Sequence, residues 1–110
     1  MRLKFAAKTL GLQPPILVAW GVAEMVYKLF GAACVLTSGT DGTHKEGSLH
    51  YKGMAIDLRT RDLTVDQRMG VFHYLRAILE PLGYDVVVEP DHFHVEYDPK
   101  SGENFTSRVA

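Results

Sequence analysis

A six-residue run near the C-terminus, 92–97, alternates strictly between polar and apolar side chains. Successive side chains of a β-strand point to opposite faces, so this run predicts a strand with two chemically different sides. One side carries Phe93, Val95 and Tyr97, and the other carries His92, His94 and Glu96. A second β-rich run, 84–89, precedes it across Pro90-Asp91, which predicts a hairpin and a partly antiparallel sheet.

Two further segments have helical signals. The first begins at Pro14-Pro15, is apolar on most sides and ends at Gly31. The second begins with a possible capping box formed by Thr64 and Gln67 and runs to Gly83. Its predicted buried stripe consists of Val71, Phe72, Leu75, Ile78, Leu79 and Leu82.

Two short segments in the first half of the chain read as additional strands. Residues 33–37 form an apolar run, and residues 54–58 alternate so that Asp57 faces away from Ile56. The intervening segment, 38–47, is rich in Gly, Ser and Thr and is predicted to be a loop. Together these segments predict an α+β fold in which helices cover a small, partly antiparallel sheet.

The length and charge of the chain limit its organisation and partners. With 110 residues it is expected to form a single domain, with a core over about 14–97 and a loosely attached polar tail over 98–110. A net charge of -1 gives no electrostatic footprint for nucleic acid. The longest apolar segment, 16–30, contains Glu24 and Lys28 and is too short to span a membrane.

The single cysteine, Cys34, lies in the apolar run 32–36. It has no partner for an internal disulfide, and no polar neighbour in sequence would lower its pKa. We therefore expect a buried structural thiol, with a nucleophilic role as the less favoured alternative.

Two clusters of polar residues contain side chains that bind metals. The segment 48–57 places His50 and Asp57 on either side of Gly53, and the run 91–96 adds His94. Imidazole nitrogen and carboxylate oxygen bind zinc, and a catalytic zinc keeps three protein ligands and an open position. The sequence thus predicts a Zn²⁺ site formed by His50, Asp57 and His94.

Other residues near these clusters suggest catalytic roles. Asp91, three residues before His94, is the predicted base, with Glu89 as its rival. His92 is predicted to donate a hydrogen bond to a developing oxyanion, or to serve as a fourth ligand. Ser48 and Lys45 are candidate substrate-binding residues. A metal-free domain whose histidines are ordinary surface residues is the remaining alternative.

With both clusters in view, the chain resembles the zinc peptidases of the hedgehog/DD-peptidase superfamily. This superfamily includes D-alanyl-D-alanine carboxypeptidases and the L-alanyl-D-glutamate endopeptidases found among phage endolysins. The resemblance covers roughly 33–97 and follows the order Ser-x-His-x-x-Gly-x-Ala-x-Asp, then a carboxylate three residues before a last histidine. The matching residues are Ser48, His50, Gly53, Ala55, Asp57, Asp91 and His94.

The resemblance implies zinc ligation by His50, Asp57 and His94, a base at Asp91, and a substrate drawn from bacterial peptidoglycan peptides. No classical export signal is recognisable, so we expect synthesis in the cytoplasm and action on the cell wall, as in a phage lysis system. An aspartate before the last histidine resembles the endopeptidase branch.

One segment departs from the family pattern. Where the family often shows Ser-Gly-Tyr-Arg, this chain has the segment 38–41, Ser-Gly-Thr-Asp. Either Lys45 or His92 replaces the missing cation, or catalysis is weaker or altered. The departure leaves open a non-catalytic alternative, a zinc-stabilised cell-wall-binding or virion-associated module of the same fold.

Overall fold

The computed structural model describes residues 2–3, 9, 11–40 and 52–98, in which two helices pack on one face of a five-stranded sheet. The strand order is β1-β2-β3-β5-β4; β1 runs parallel to β2, and the other neighbours are antiparallel. The predicted α+β class is thereby confirmed. The elements are β1 (Arg2–Leu3), α1 (Pro14–Leu29), β2 (Val35–Ser38), β3 (Ala55–Arg59), α2 (Val65–Leu79), a 3-10 turn (Glu80–Leu82), β4 (Tyr84–Val88) and β5 (His92–Tyr97).

The predicted helix boundaries follow local signals that the structure confirms. Pro14 and Pro15 occupy the first turn of α1, and Gly31 beyond its end has a φ of +71°. At the start of α2, the Thr64 Oγ1 accepts a hydrogen bond from the backbone N–H of Gln67 at 3.1 Å. The backbone N–H of Thr64 donates to Gln67 Oε1 at 2.9 Å, which completes the capping box.

The predicted apolar stripe of α2 is wrong at its C-terminal end. Val71, Leu75 and Leu79 are buried as expected, whereas Ile78 is 39% exposed and Leu82 is 58% exposed. The buried positions are spaced four residues apart, and Ile78 lies to one side of them. Pro81 cannot donate a backbone hydrogen bond. The chain therefore leaves the α-helix for the 3-10 turn, which carries Leu82 away from the core.

The core joins the helices to the two central strands. The Phe93 ring of β5 is fully buried, meets the Tyr27 ring edge-on with centroids 6.4 Å apart, and stacks on Phe72. Burying one such side chain stabilises the fold by about 1.5–3 kcal/mol. The Tyr27 hydroxyl also donates a hydrogen bond to the Arg59 carbonyl oxygen at 2.8 Å. These contacts fix the positions of β3 and β5, the strands that carry Asp57 and His94.

A glycine turn before β3 holds the segment that leads into α1. Gly53 has a φ of +72°, and a Cβ at this position would overlap the carbonyl oxygen of Gly11. The backbone N–H of Gln13 donates to the Gly53 carbonyl oxygen at 2.9 Å. Gly53 therefore has a structural role, in which both a left-handed conformation and close backbone contact exclude a side chain.

Three further expectations concern the rest of the chain. Cys34 is buried, as predicted. Neither of the helices that the structure describes has the length and apolarity needed to cross a membrane. Of the predicted tail, only Asp98 lies within the described residues, where its backbone N–H donates to the Gly83 carbonyl oxygen.

Candidate metal centre

The sheet brings Asp57 and His94 face to face. Both point away from the helices, because Ile56 and Leu58 of β3 and Phe93 and Val95 of β5 occupy the buried face. In the antiparallel ladder, Asp57 is the direct partner of His94, and Arg59 is the partner of His92. Directly opposed residues have neighbouring side chains on the same face. The ladder thus joins residues 37 positions apart in the sequence.

Asp57 and His94 are in direct polar contact. The Oδ1 atom of Asp57 lies 3.0 Å from Nδ1 of His94, and their side chains are 13% and 20% exposed. Two ligands of a tetrahedral zinc, each about 2.0–2.1 Å from the ion, lie about 3.3 Å apart. The observed separation therefore suits either a hydrogen bond or shared coordination of one ion.

Glu96 approaches the other nitrogen of the same imidazole. Its Oε1 lies 2.7 Å from His94 Nε2, and a carboxylate only accepts hydrogen bonds, so Nε2 carries a hydrogen atom. Burial alone would lower the pKa of His94, but hydrogen bonds to Asp57 and Glu96 and their negative charges raise it overall. Without a metal, His94 is held between two carboxylates, both of which favour its protonated form.

This arrangement fits a metal-binding histidine. Metal-ligating histidines usually donate their second N–H to a carboxylate, which fixes the tautomer and orients the ring. Glu96 makes this contact with Nε2, so loss of the other proton would give Nδ1 a lone pair for an ion beside Asp57. The donor types, one imidazole nitrogen and one carboxylate oxygen, are those that zinc accepts.

Asp91 and His92 form a second pair beside Asp57. The Nδ1 atom of His92 lies 2.7 Å from Asp91 Oδ1, and its Nε2 lies 3.7 Å from Asp57 Oδ1. The hydrogen bond from His92 holds the pKa of the Asp91 carboxyl below its ordinary value. Asp91 is 77% exposed at the mouth of the cluster, whereas His92 is 27% exposed. His92 therefore links the two carboxylates.

A cleft of about 270 Å³ opens beside these pairs. Of the two residues predicted as a base, Asp91 lies on its wall and Glu89 does not. Two arginines also line the cleft, and sequence reasoning overlooked both. Arg59 follows Asp57 by two residues, so the strand period alone places it on the same face. The lining residues that the structure describes are Thr37, Ser38, Asp57, Arg59, Arg61, Asp91 and His92.

A cluster of three acidic residues lies next to His94. Asp85, Glu96 and Asp98 each have an oxygen within 4.8 Å of the others, although exposed acidic groups often meet in this way without a metal. Within the described part of the chain, Asp57, His92 and His94 do not close into a comparable three-donor group. This geometry counts against His92 as a fourth ligand.

The predicted site residues divide into two sets. The structure brings together Asp57, Asp91, His92 and His94, four residues predicted from sequence. The other predicted residues, Lys45, Ser48 and His50, lie outside the described residues. Glu96 was predicted to share the polar face, but its contact with His94 was not anticipated.

Comparisons with protein-family profiles, curated proteins and solved structures gave no match to this chain.

Proposed function

We propose that this chain is a zinc-dependent peptidase that hydrolyses an amide bond in the stem peptides of bacterial peptidoglycan, with a fold of the hedgehog/DD-peptidase type. The observation that carries the proposal is the row formed by Asp57, His94 and Glu96. It combines a carboxylate, an imidazole and a supporting carboxylate within hydrogen-bonding distance on the face of the sheet opposite the two helices.

In this proposal, Asp57 and His94 hold the ion together with His50. Zinc in such a site supplies a positive charge that polarises the scissile carbonyl and lowers the pKa of water. Glu96 keeps the hydrogen atom on Nε2 of His94, so that Nδ1 would be the nitrogen offered to the ion. The partial burial of Asp57 and His94 restricts competition from solvent for both ligands.

Asp91 and His92 are proposed to handle the proton. The ring nitrogen that faces Asp91 carries a hydrogen atom, because an ionised carboxylate accepts only. Asp91 takes the proton from the attacking water and returns it to the leaving amine. A His92 ring that enters the reaction with both nitrogens protonated donates its Nε2–H, on the side of Asp57, to the developing oxyanion and keeps that proton throughout.

The test is to incubate zinc-loaded protein with purified peptidoglycan and to measure newly freed amino groups. We expect release by the wild type, and none by Asp91→Ala, which should still bind zinc. His73→Ala is the matched control, because His73 is exposed on α2 and lies away from the cleft. A wild type that binds zinc but frees no amino groups would contradict the proposal.

A second candidate function is a zinc-stabilised module that binds the cell wall without cutting it. One observation favours it: the exposed Asp91 carboxylate is already engaged by His92, which lowers its pKa and weakens it as a base. Sedimentation of the protein with peptidoglycan, without release of amino groups, would support this candidate over the peptidase.

A further inference from the structure

Arg59 lies in the cleft with its backbone firmly held. It follows Asp57 on β3, stands opposite His92 in the ladder, and lines the same cleft as both. The buried Tyr27 hydroxyl donates to its carbonyl oxygen at 2.8 Å. The Arg59 side chain is 23% exposed, so most of it is buried beside the polar cluster.

The guanidinium of Arg59 has unused hydrogen-bonding capacity. Its Nε is buried and has no hydrogen-bond partner in the described part of the protein. Its ion pair is with Asp62, whose side chain is 66% exposed, at 3.4 Å. Exposed ion pairs of this kind contribute little, whereas a buried donor without an acceptor is unfavourable. An acceptor bound against Arg59 in the cleft is one way to satisfy this donor.

The charge of the cleft also favours an anion once a metal is bound. Among the described residues, its wall carries two carboxylates, Asp57 and Asp91, and two guanidinium groups, Arg59 and Arg61. These four charges cancel, so a divalent cation held by Asp57 would make the cleft positive. Arg61 is exposed and adds a second cation at the edge of the cleft.

We propose that Arg59, assisted by Arg61, binds a free carboxylate of the substrate, namely the α-carboxylate on the residue whose nitrogen forms the scissile amide. The planar guanidinium matches a carboxylate with two parallel hydrogen bonds. This subsite rests on the proposed function, and the α-carboxylate is the part of the substrate that the cleft would recognise. A terminal D-alanyl-D-alanine bond carries such a carboxylate, as does an L-alanyl-D-glutamate bond when the glutamate is linked through its side chain.

This assignment differs from the expectation that Lys45 or His92 supplies the missing cation. Lys45 lies outside the described residues, and the Nδ1 of His92 is engaged by Asp91. Arg59 has a donor that no described residue satisfies, and it is placed by a strand rather than by a loop. Sites on strands are held more rigidly than sites on loops.

The experiment compares two peptide substrates, one ending in D-Ala-D-Ala and one containing L-Ala-D-Glu. Each is prepared with the α-carboxylate free or amidated. We expect the wild type to prefer the free acid, and Arg59→Gln to raise KM for the acid roughly tenfold or more while kcat changes little. The amides should react equally with both proteins. Arg76→Gln is the matched control, because Arg76 lies on α2 away from the cleft.

Several outcomes would overturn the assignment. Equal use of acid and amide by the wild type would do so, as would an equal loss of kcat on both substrates in Arg59→Gln, which would indicate oxyanion stabilisation instead. If thermal melting shows that Arg59→Gln does not fold, Arg59→Lys decides, since it keeps the charge and loses the paired donors. An Arg59→Lys variant with an unchanged preference for the acid would reject the proposal.

A failure of the peptidase proposal is distinguishable from a failure of this subsite. Absence of turnover on every peptide would reject the peptidase activity alone. Binding of acetyl-D-alanine and acetyl-D-alaninamide to the zinc-loaded protein, measured by calorimetry, then tests the subsite. Tighter binding of the acid that is lost in Arg59→Gln would support it, and equal binding of the two probes would reject it.

Discussion

His94 and Asp57 are directly opposed in the β3–β5 ladder, with Nδ1 of the imidazole 3.0 Å from Oδ1 of the carboxylate. Their position is set by the buried face of the same strands, where Leu58 is paired with Phe93 and Ile56 with Val95. A slip of one residue would exchange the two faces of a strand. Core packing therefore determines the geometry of the polar pair.

Removal of the His94 imidazole should abolish metal binding. We expect the wild type to bind about one zinc per chain and His94→Ala to bind almost none, because two of three ligands do not hold a zinc tightly. The measurement is metal content after dialysis, with zinc-induced stabilisation in thermal melting as a second readout. His73→Ala should retain the metal, and a zinc-loaded His94→Ala protein would argue against ligation by His94.

Zinc affinity should depend on pH through His94. Its pKa is raised despite burial, because Asp57 and Glu96 favour the protonated ring. Protons therefore compete with zinc for His94 as the pH falls. This competition sets in at a higher pH than the ordinary histidine pKa of 6.5 would give. Competition with a chromogenic chelator across the pH range would measure this dependence.

Glu96→Gln tests the cause of that dependence. The amide oxygen still accepts the Nε2 hydrogen atom, but the negative charge is lost, so the pKa of His94 should fall. The midpoint of zinc release should then move to lower pH, and affinity at high pH should drop roughly tenfold because the ligand is less basic. Identical pH profiles for wild type and variant would show that Glu96 does not act on His94.

Gly53→Ala should destabilise the fold more than Gly31→Ala. Both glycines have positive φ, +72° and +71°, which costs alanine about 1–2 kcal/mol. A Cβ at Gly53 would also overlap the Gly11 carbonyl oxygen, whereas at Gly31 it would meet nothing within 4 Å. The difference between the two variants in free energy of unfolding, measured with urea, gives the cost of this overlap. Equal losses of stability would show that the Gly11 contact is unimportant.

Stability should decline at alkaline pH through Cys34. Burial, together with the nearby charge of Glu24, raises its pKa from 9.0 to about 12. The folded protein holds the proton that the unfolded chain releases, so this contribution is complete below about pH 9 and is lost as the pH rises towards 12. The decline should be shallower in Cys34→Ala, although burial of Tyr27 acts in the same direction.

Thiol labelling provides an independent check on Cys34. A buried thiol with a raised pKa should react slowly in the native protein and rapidly after denaturation. Rapid labelling of the native protein with loss of activity would instead support a nucleophilic role.

Much of the local structure could be predicted because its signals are local. Proline at a helix start, the Thr64–Gln67 capping box and the alternation over 92–97 each act within a few residues. Alternation over 54–58 placed Asp57 on a polar face, and alternation over 92–97 did the same for His94. The pairing of these two residues could not be predicted, since strand register depends on how distant side chains pack.

The overlooked features have two different origins. The contact between Glu96 and His94 and the cleft position of Arg59 follow the period of two, so attention to every outward residue of β3 and β5 would have found them. The parallel pairing of β1 with β2 and the early end of α2 have weaker signals. The two residues of β1, Arg2 and Leu3, are too few to show an alternating pattern. Pro81 indicates where α2 ends, but not the direction that the chain takes afterwards.

Both helices that the structure describes pack on the same side of the sheet, so the row formed by Asp57, His94 and Glu96 faces away from them. In the proposed function the substrate belongs to a cross-linked mesh, which cannot be threaded through a tunnel. Helices on one side only would leave the opposite side of the sheet to meet such a mesh, without a helical layer between the row and its substrate.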